Sequence, residues 1–114
     1  MTSNMPKDQN GYPIPALRLS TGGAHAINAT ATATRNTSDF NTNCRVISLY
    51  ATENVYVEVG DATVEATTSS HFFPKGVYYD VALIDDNVSK IRDTHISVLK
   101  YGADDGVLFV SEKL

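Results

Sequence analysis

The sequence predicts an all-β protein: an antiparallel, jelly-roll-like β-sandwich with an extended N-terminal arm. Three observations carry this. Apolar and polar residues alternate with a period of two over most of the chain, the alternating runs are short and punctuated by Gly, Pro, Asn and Asp, and no helical spacing persists beyond one turn. The result is about seven or eight short strands at the spacing of a sandwich or jelly roll. A chain of 114 residues is one domain by length, and 42% apolar residues suffice for a thin two-layer core.

Residues 1–23 stand apart from residues 24–114, which form the sandwich domain. The opening segment is rich in Pro, Gly, Asn and Ser, and Pro13 and Pro15 flank Ile14. Proline fixes φ and biases its predecessor toward extended backbone, so Tyr12 through Pro15 is expected to be polyproline-like. The segment nevertheless carries Tyr12, Ile14, Leu17 and Leu19, apolar groups that a solvated tail does not need. A first strand on the domain's own edge would bury them, and so would an arm lying on a neighbouring subunit. The arm is the reading adopted, with Tyr12, Pro13, Ile14, Pro15, Leu17 and Leu19 as its protein interface.

The strands follow in order. From Ile27 the chain places Ile27, Ala29, Ala31 and Ala33 on one side and Asn28, Thr30, Thr32 and Thr34 on the other. That alternation predicts a strand with a small-residue inner face, since a run this rich in β-branched threonine makes a poor helix. The stretch RNTSDFNTN loses the period and reads as a loop. CRVISLYA sets Ile47 and Leu49 against Val46, Ser48 and Tyr50, and NVYVEV puts Val55, Val57 and Val59 on one face. Gly60-Asp61 suggests a tight hairpin turn with Gly at positive φ, and Pro74-Lys75-Gly76 a second turn. The strand after it is expected to turn Val77, Tyr79, Val81 and Leu83 inward. DDNVSKIRD supports one helical turn at most, from the spacing of Val88 and Ile91. THISVLKY and GVLFVSE are the last strands, expected to be joined by GADDG as another hairpin loop.

Candidate chemistry is sparse. The net charge is −4 and the nine basic residues are scattered, which argues against a nucleic-acid partner. No apolar run is long enough for a membrane span, and no charged n-region precedes an apolar h-region. The expectation is a protein made in a cytoplasm, with no membrane partner. Cys44 is the single cysteine and reads as a buried thiol. His25, His71 and His95 lack zinc-ligand spacing and read as surface or capping groups. The doublets Asp85-Asp86 and Asp104-Asp105 could contribute to calcium binding, but both sit in turns, where Asp serves local hydrogen bonds. There is no GxSxG elbow, no phosphate loop, and no histidine near Cys44 in sequence. A glycosidase's paired carboxylates cannot be judged from spacing. The chain reads as a non-enzyme without cofactor or metal.

One family resemblance enters on PIPALRLSTG, the Ala/Thr strand, the turn HFFPKGV and the final strand GVLFVSE. Together these resemble small proteins encoded among the structural genes of tailed bacteriophages. The resemblance implies a virion protein, with the capsid cement or decoration protein as the nearest role: a small jelly roll that staples major capsid subunits from outside. It implies the major capsid protein or another virion protein as partner, together with self-association as a dimer or trimer. A tail or head–tail component is the competing role. A carbohydrate-binding sandwich at a virion tip is another, and it would need exposed aromatics clustered on one loop face; Tyr50, Tyr56, Tyr78 and Tyr101 are its candidates.

Overall fold

The computed structural model describes residues 17–86 and 91–114. Two four-stranded antiparallel sheets pack face to face as a sandwich. Sheet I runs β1 (Leu19–Ala29), β10 (Gly106–Lys113), β3 (Val46–Ala51), β6 (Tyr78–Ala82), in that spatial order. Sheet II runs β2 (Thr34–Arg35), β9 (His95–Lys100), β4 (Val55–Gly60), β5 (His71–Phe73). A small pair, β7 (Asp85–Asp86) and β8 (Ile91–Arg92), lies outside both. Alternation on the strands becomes burial on one face: Ile47 and Leu49 from β3, Val55 and Val57 from β4, Ile96 and Val98 from β9, and Leu108 and Val110 from β10 form the core.

The Ala/Thr strand is shorter than its period suggests. Ile27 and Ala29 are buried as expected, but β1 ends there and the chain crosses to β2 in the facing sheet, leaving Ala31 exposed. Threonine hydroxyls stabilise the corner: Thr30 Oγ1 and Thr34 Oγ1 both donate to the Thr32 carbonyl at 3.0 and 3.1 Å. At its other end β1 starts at Leu19, inside the 1–23 segment. The β1–β10 register shifts between Leu19 and Ala24, where Gly22 takes φ of +75°. Gly23 beside it leaves room for nothing larger, because a Cβ there would lie 2.8 Å from Cβ of Glu112.

Of the stretch 35–43 expected as loop, Arg35 belongs to β2 and loop 36–44 follows it, yet this loop supplies a core residue. Phe40 is 1% exposed and packs edge-on against His25, ring centroids 5.4 Å apart. Its backbone is fixed on both sides: Phe40 N–H donates to Thr94 O at 3.0 Å, and Arg92 Nη2 donates to Phe40 O at 2.7 Å. Buried Asn36 accepts from the Ile96 N–H at 2.8 Å, and its amide donates to Ser38 O at 2.6 Å.

Two turn assignments need correction. Gly60 has no positive φ; among the described glycines only Gly22 and Gly76 do. Asp61 instead opens a wider loop, accepting from both the hydroxyl and the N–H of Thr63 at 2.6 and 2.9 Å, so the chain pairs back only at β5. That hydroxyl, and then the N–H, hold the Asp61 carboxyl below the usual carboxylate range. The same loop folds over the outer face of sheet II, where Ser97 Oγ accepts from the Ala66 N–H at 2.9 Å. The middle of the stretch read for one helical turn, residues 87–90, lies outside the described residues; on either side of it Asp85 is opposite Arg92 and Asp86 opposite Ile91, forming the β7–β8 pair. The second turn assignment is GADDG, which forms no hairpin: β9 lies in sheet II and β10 in sheet I, so the chain crosses between the sheets there.

Candidate functional site: aromatic faces and an open edge

Antiparallel pairing puts directly opposed residues on the same face of a sheet. On the outer face of sheet I, Phe109 is opposite Tyr50, and Tyr50 is opposite Tyr78. This row spans β10, β3 and β6, and all three side chains are exposed. It ends at a charged corner: Lys113 Nζ lies 2.9 Å from Asp80 Oδ1 and 5.0 Å from the Tyr78 ring centroid. The hydrogen bond to Tyr78, then the one to Asp80, hold the Lys113 ammonium above its ordinary range, and the Tyr78 phenol is lowered in turn.

The outer face of sheet II carries a second aromatic group. Tyr56 is opposite Phe72 across β4 and β5, and Tyr101 follows β9. Their ring centroids are 6.4 Å apart for Tyr56–Phe72, 5.5 Å for Tyr56–Tyr101 and 5.1 Å for Phe72–Tyr101, tilted or edge-on, so each ring supports the others. Phe72 and Tyr101 remain more than half exposed, at 51% and 55%. The polar groups Glu53, Asn54 and Asp104 border Tyr101 in a shallow recess. Of the tyrosines singled out in the sequence, Tyr56 and Tyr101 thus meet, while Tyr50 and Tyr78 lie on the opposite sheet.

The third feature is the edge where β5 and β6 face each other. Tyr79 is opposite Leu49 and Val81 opposite Ile47, so both point toward the core face, as the period predicts. Burial does not follow direction. Val77 is 42% and Tyr79 58% exposed, because β5 covers only His71–Phe73 and sheet II ends before it can close over them. An apolar cleft of about 470 Å³ remains between the sheets, lined by Val57, Val59, Phe73, Val77, Tyr79 and Val81.

Residues 12–15 of the expected interface lie outside the described residues. Leu17 and Leu19 are described and exposed, at the start of β1, where Arg18 and Leu114 exchange backbone hydrogen bonds at 3.1 and 2.9 Å. The histidines separate into different settings. His71 is exposed near Glu58, but His25 and His95 are largely buried rather than surface groups. His25 Nε2 lies 2.8 Å from Glu112 Oε2, while Glu112 Oε1 accepts from the Asn41 N–H at 2.6 Å, so one buried carboxylate ties β1 to loop 36–44. His95 sits 3.5 Å from Asp39, with Thr94 Oγ1 at 2.8 Å from its Nδ1. Cys44 is buried, and loss of solvation raises its thiol pKa. Among the described residues no group of three or more His, Cys, Asp or Glu side chains is placed to hold a metal ion.

Phe72, Phe109, Val77 and Tyr79 were not singled out as site residues in the sequence. The adjacent pair Phe72-Phe73 held a usable signal, since a period of two sends one ring inward and its neighbour out. Phe109 had none, because its row depends on cross-strand register. No protein-family model, curated protein or solved structure matches the chain.

Proposed function

We propose that the chain is a structural protein of a bacteriophage virion, a capsid cement or decoration protein that binds major capsid subunits, and that its sandwich is a jelly roll. The strand pairing supports the fold reading. Pairs β1·β10, β2·β9, β3·β6 and β4·β5 match the first half of the chain against the second in reverse order, as when one long hairpin is wrapped into two sheets. Jelly rolls serve both as capsid and as lectin domains, so the fold leaves the role open and the surface has to decide it.

The observation that carries the role is the row Phe109–Tyr50–Tyr78 on the outer face of sheet I. A broad sheet face with exposed rings and an adjacent Lys113–Asp80 pair suits a flat protein partner, where aromatic residues form the contact and charge sets its register. The partner is the major capsid protein or another virion protein, met in the particle after synthesis in the host cytoplasm. Quantitative mass spectrometry of purified particles tests this. A copy number equal to, or a simple fraction of, that of the major shell protein is expected. A few copies per particle moves the chain to the tail or head–tail junction, and absence from the particle rejects the proposal.

The cluster Tyr56–Phe72–Tyr101 favours a second reading, a carbohydrate-binding module at a virion tip. Supported rings beside Glu53, Asn54 and Asp104 offer an apolar platform with hydrogen-bonding groups at its border. Titration with host-surface oligosaccharides, read by NMR shifts of these rings, separates the two: saturable shifts support the module.

A further inference from the structure

We propose that the cleft between β5 and β6 receives residues 12–15 of a second copy of this chain, so that copies join by exchanging N-terminal segments. The proposal concerns how copies meet and stands independently of the capsid assignment. It starts from two unsatisfied surfaces. Val77 and Tyr79 point to the core face yet stay exposed, because β5 is too short to cover them. The segment Tyr12-Pro13-Ile14-Pro15 is apolar, and the residues that follow it find no cover on their own domain: Leu17 is 44% and Leu19 69% exposed.

The chemistry of the two surfaces matches. Proline at 13 and 15 favours an extended polyproline conformation, and such segments dock in grooves lined by aromatic side chains. The cleft provides Phe73 and Tyr79 between valines, with Pro74 at its end. A small polar ligand fits less well, because the lining has few hydrogen-bonding side chains, chiefly His71 and the Tyr79 hydroxyl.

Reach decides between the chain's own segment and that of a neighbour. Leu19, Lys113, Val46 and Ala82 form one row across sheet I. Three strand spacings then separate β1 from β6 by roughly 14 Å. Leu17 lies two residues beyond that row on one side, and Tyr79 three residues beyond it on the other, about 17 Å apart along the strands. The straight-line separation is therefore about 22 Å, before any detour around the sheet. Tyr12 precedes Leu17 by five residues, which reach roughly 17 Å at full extension, and Ile14 and Pro15 reach less. At full extension only Tyr12 could touch the near rim at Val81, about 17 Å away, and Ile14 and Pro15 fall short, so the segment cannot fill its own cleft but can fill that of a second copy. A two-fold exchange would cover both clefts and both segments at once.

The test combines directed cross-linking with sedimentation of the full chain. One preparation carries Ile14→Cys and another Val77→Cys, distinguished by mass; the parent chain, with Cys44 buried, is the control. The expected result is a disulfide between the two preparations when mixed, absent from the parent. Ile14→Asp and Tyr79→Ser should each weaken the dimer by roughly tenfold or more, as for loss of an interface anchor. Ile14→Asp should leave the melting curve of the domain unchanged, which separates lost contact from lost fold. A monomeric chain carrying both cysteines that cross-links within itself overturns the proposal in favour of its own segment. A dimer that survives Ile14→Asp but not Tyr79→Ser overturns it in favour of clefts meeting each other. A chain that stays monomeric at high concentration and gives no mixed disulfide overturns it outright and leaves the cleft to a foreign partner.

Discussion

Replacing Phe40 by alanine should destabilise the domain more than any other change in a loop. The side chain is 1% exposed, so its burial is essentially complete. A buried phenyl removes about 150–250 Å² from water, an upper bound of roughly 4–6 kcal/mol at 25 cal/mol per Å². Measured Phe→Ala changes in cores cost about 3–5 kcal/mol, which includes the cavity left behind. The upper part of that range applies here because the loop cannot collapse into the gap. Phe40 N–H to Thr94 O and Arg92 Nη2 to Phe40 O hold the backbone whether or not the ring is present. The edge-on contact with His25 at 5.4 Å is lost as well. A loss of about 4 kcal/mol corresponds to a fall of roughly 16 °C in melting temperature for a domain of this size. Against a typical total of about 5–15 kcal/mol, that leaves the protein marginal. Urea unfolding followed by far-UV circular dichroism checks it, with the midpoint falling and the slope m unchanged. Phe40→Leu, which retains most of the apolar volume, should cost about 1.5 kcal/mol or less. A Phe40→Ala loss below about 1 kcal/mol would refute the reasoning, because the loop would then be lying on the core without closing it.

Gly22→Ala should cost about 1–2 kcal/mol in thermal unfolding, since an L-residue must adopt φ near +75° although no neighbour obstructs its Cβ. Gly22→Asn should cost less, because Asn tolerates that region. The Cys44 thiol should resist alkylation in the native protein and react on unfolding, as mass spectrometry after a timed quench would show. Its folded pKa is raised above the ordinary 9.0, so its stabilising effect is complete below that pH and is lost as the pH rises through the higher folded value; Cys44→Ala should flatten this alkaline decline. The double change Tyr56→Ser, Phe72→Ser removes three ring contacts at about 0.5–1.5 kcal/mol each and should lower stability by at least about 1.5 kcal/mol while leaving the core intact. It should abolish glycan binding if that is the protein's role and spare particle attachment, whereas Tyr50→Ser with Phe109→Ser should do the reverse.

The elements that could be read from sequence were those whose neighbours cover one face along their whole length. On β3 and β4 the alternation of Ile47 and Leu49, or of Val55 and Val57, translated directly into burial. On β6 the same period gave the direction of Tyr79 correctly and its exposure wrongly, because exposure depends on how far β5 runs in the other sheet. Ala31 and Ala33 continued the pattern of β1 in sequence, but the chain turned a corner that threonine hydroxyls could stabilise. The ties of Glu112 to His25 and Asn41 were invisible for another reason, since they join residues 87 and 71 positions apart. The site divides in the same way. Individual exposed tyrosines could be picked from strand patterns, but their partners could not, because the Phe109–Tyr50–Tyr78 row and the Tyr56–Phe72–Tyr101 cluster are products of register and loop position.

The open edge also shows which kind of contact the cleft is built for. Free edge strands invite another strand to pair, and an unprotected apolar edge promotes open-ended aggregation. Both strands here are blunted. β5 is three residues long and stops at Pro74, while β6 carries Asp80, paired with Lys113. The exposed His71 and the Glu58 carboxylate add polar groups at the β5 side, 3.7 Å apart. Backbone pairing along either edge is therefore short and flanked by charge, whereas the space between the edges remains apolar. A partner gains most by inserting side chains between the sheets and little by extending either one. A proline-containing segment meets that requirement, because Pro supplies apolar volume but no N–H for a ladder. Reciprocal insertion about a two-fold axis leaves neither a free cleft nor a free segment, so an exchange of that kind closes as a dimer, whereas one-way insertion would pass on to a third copy.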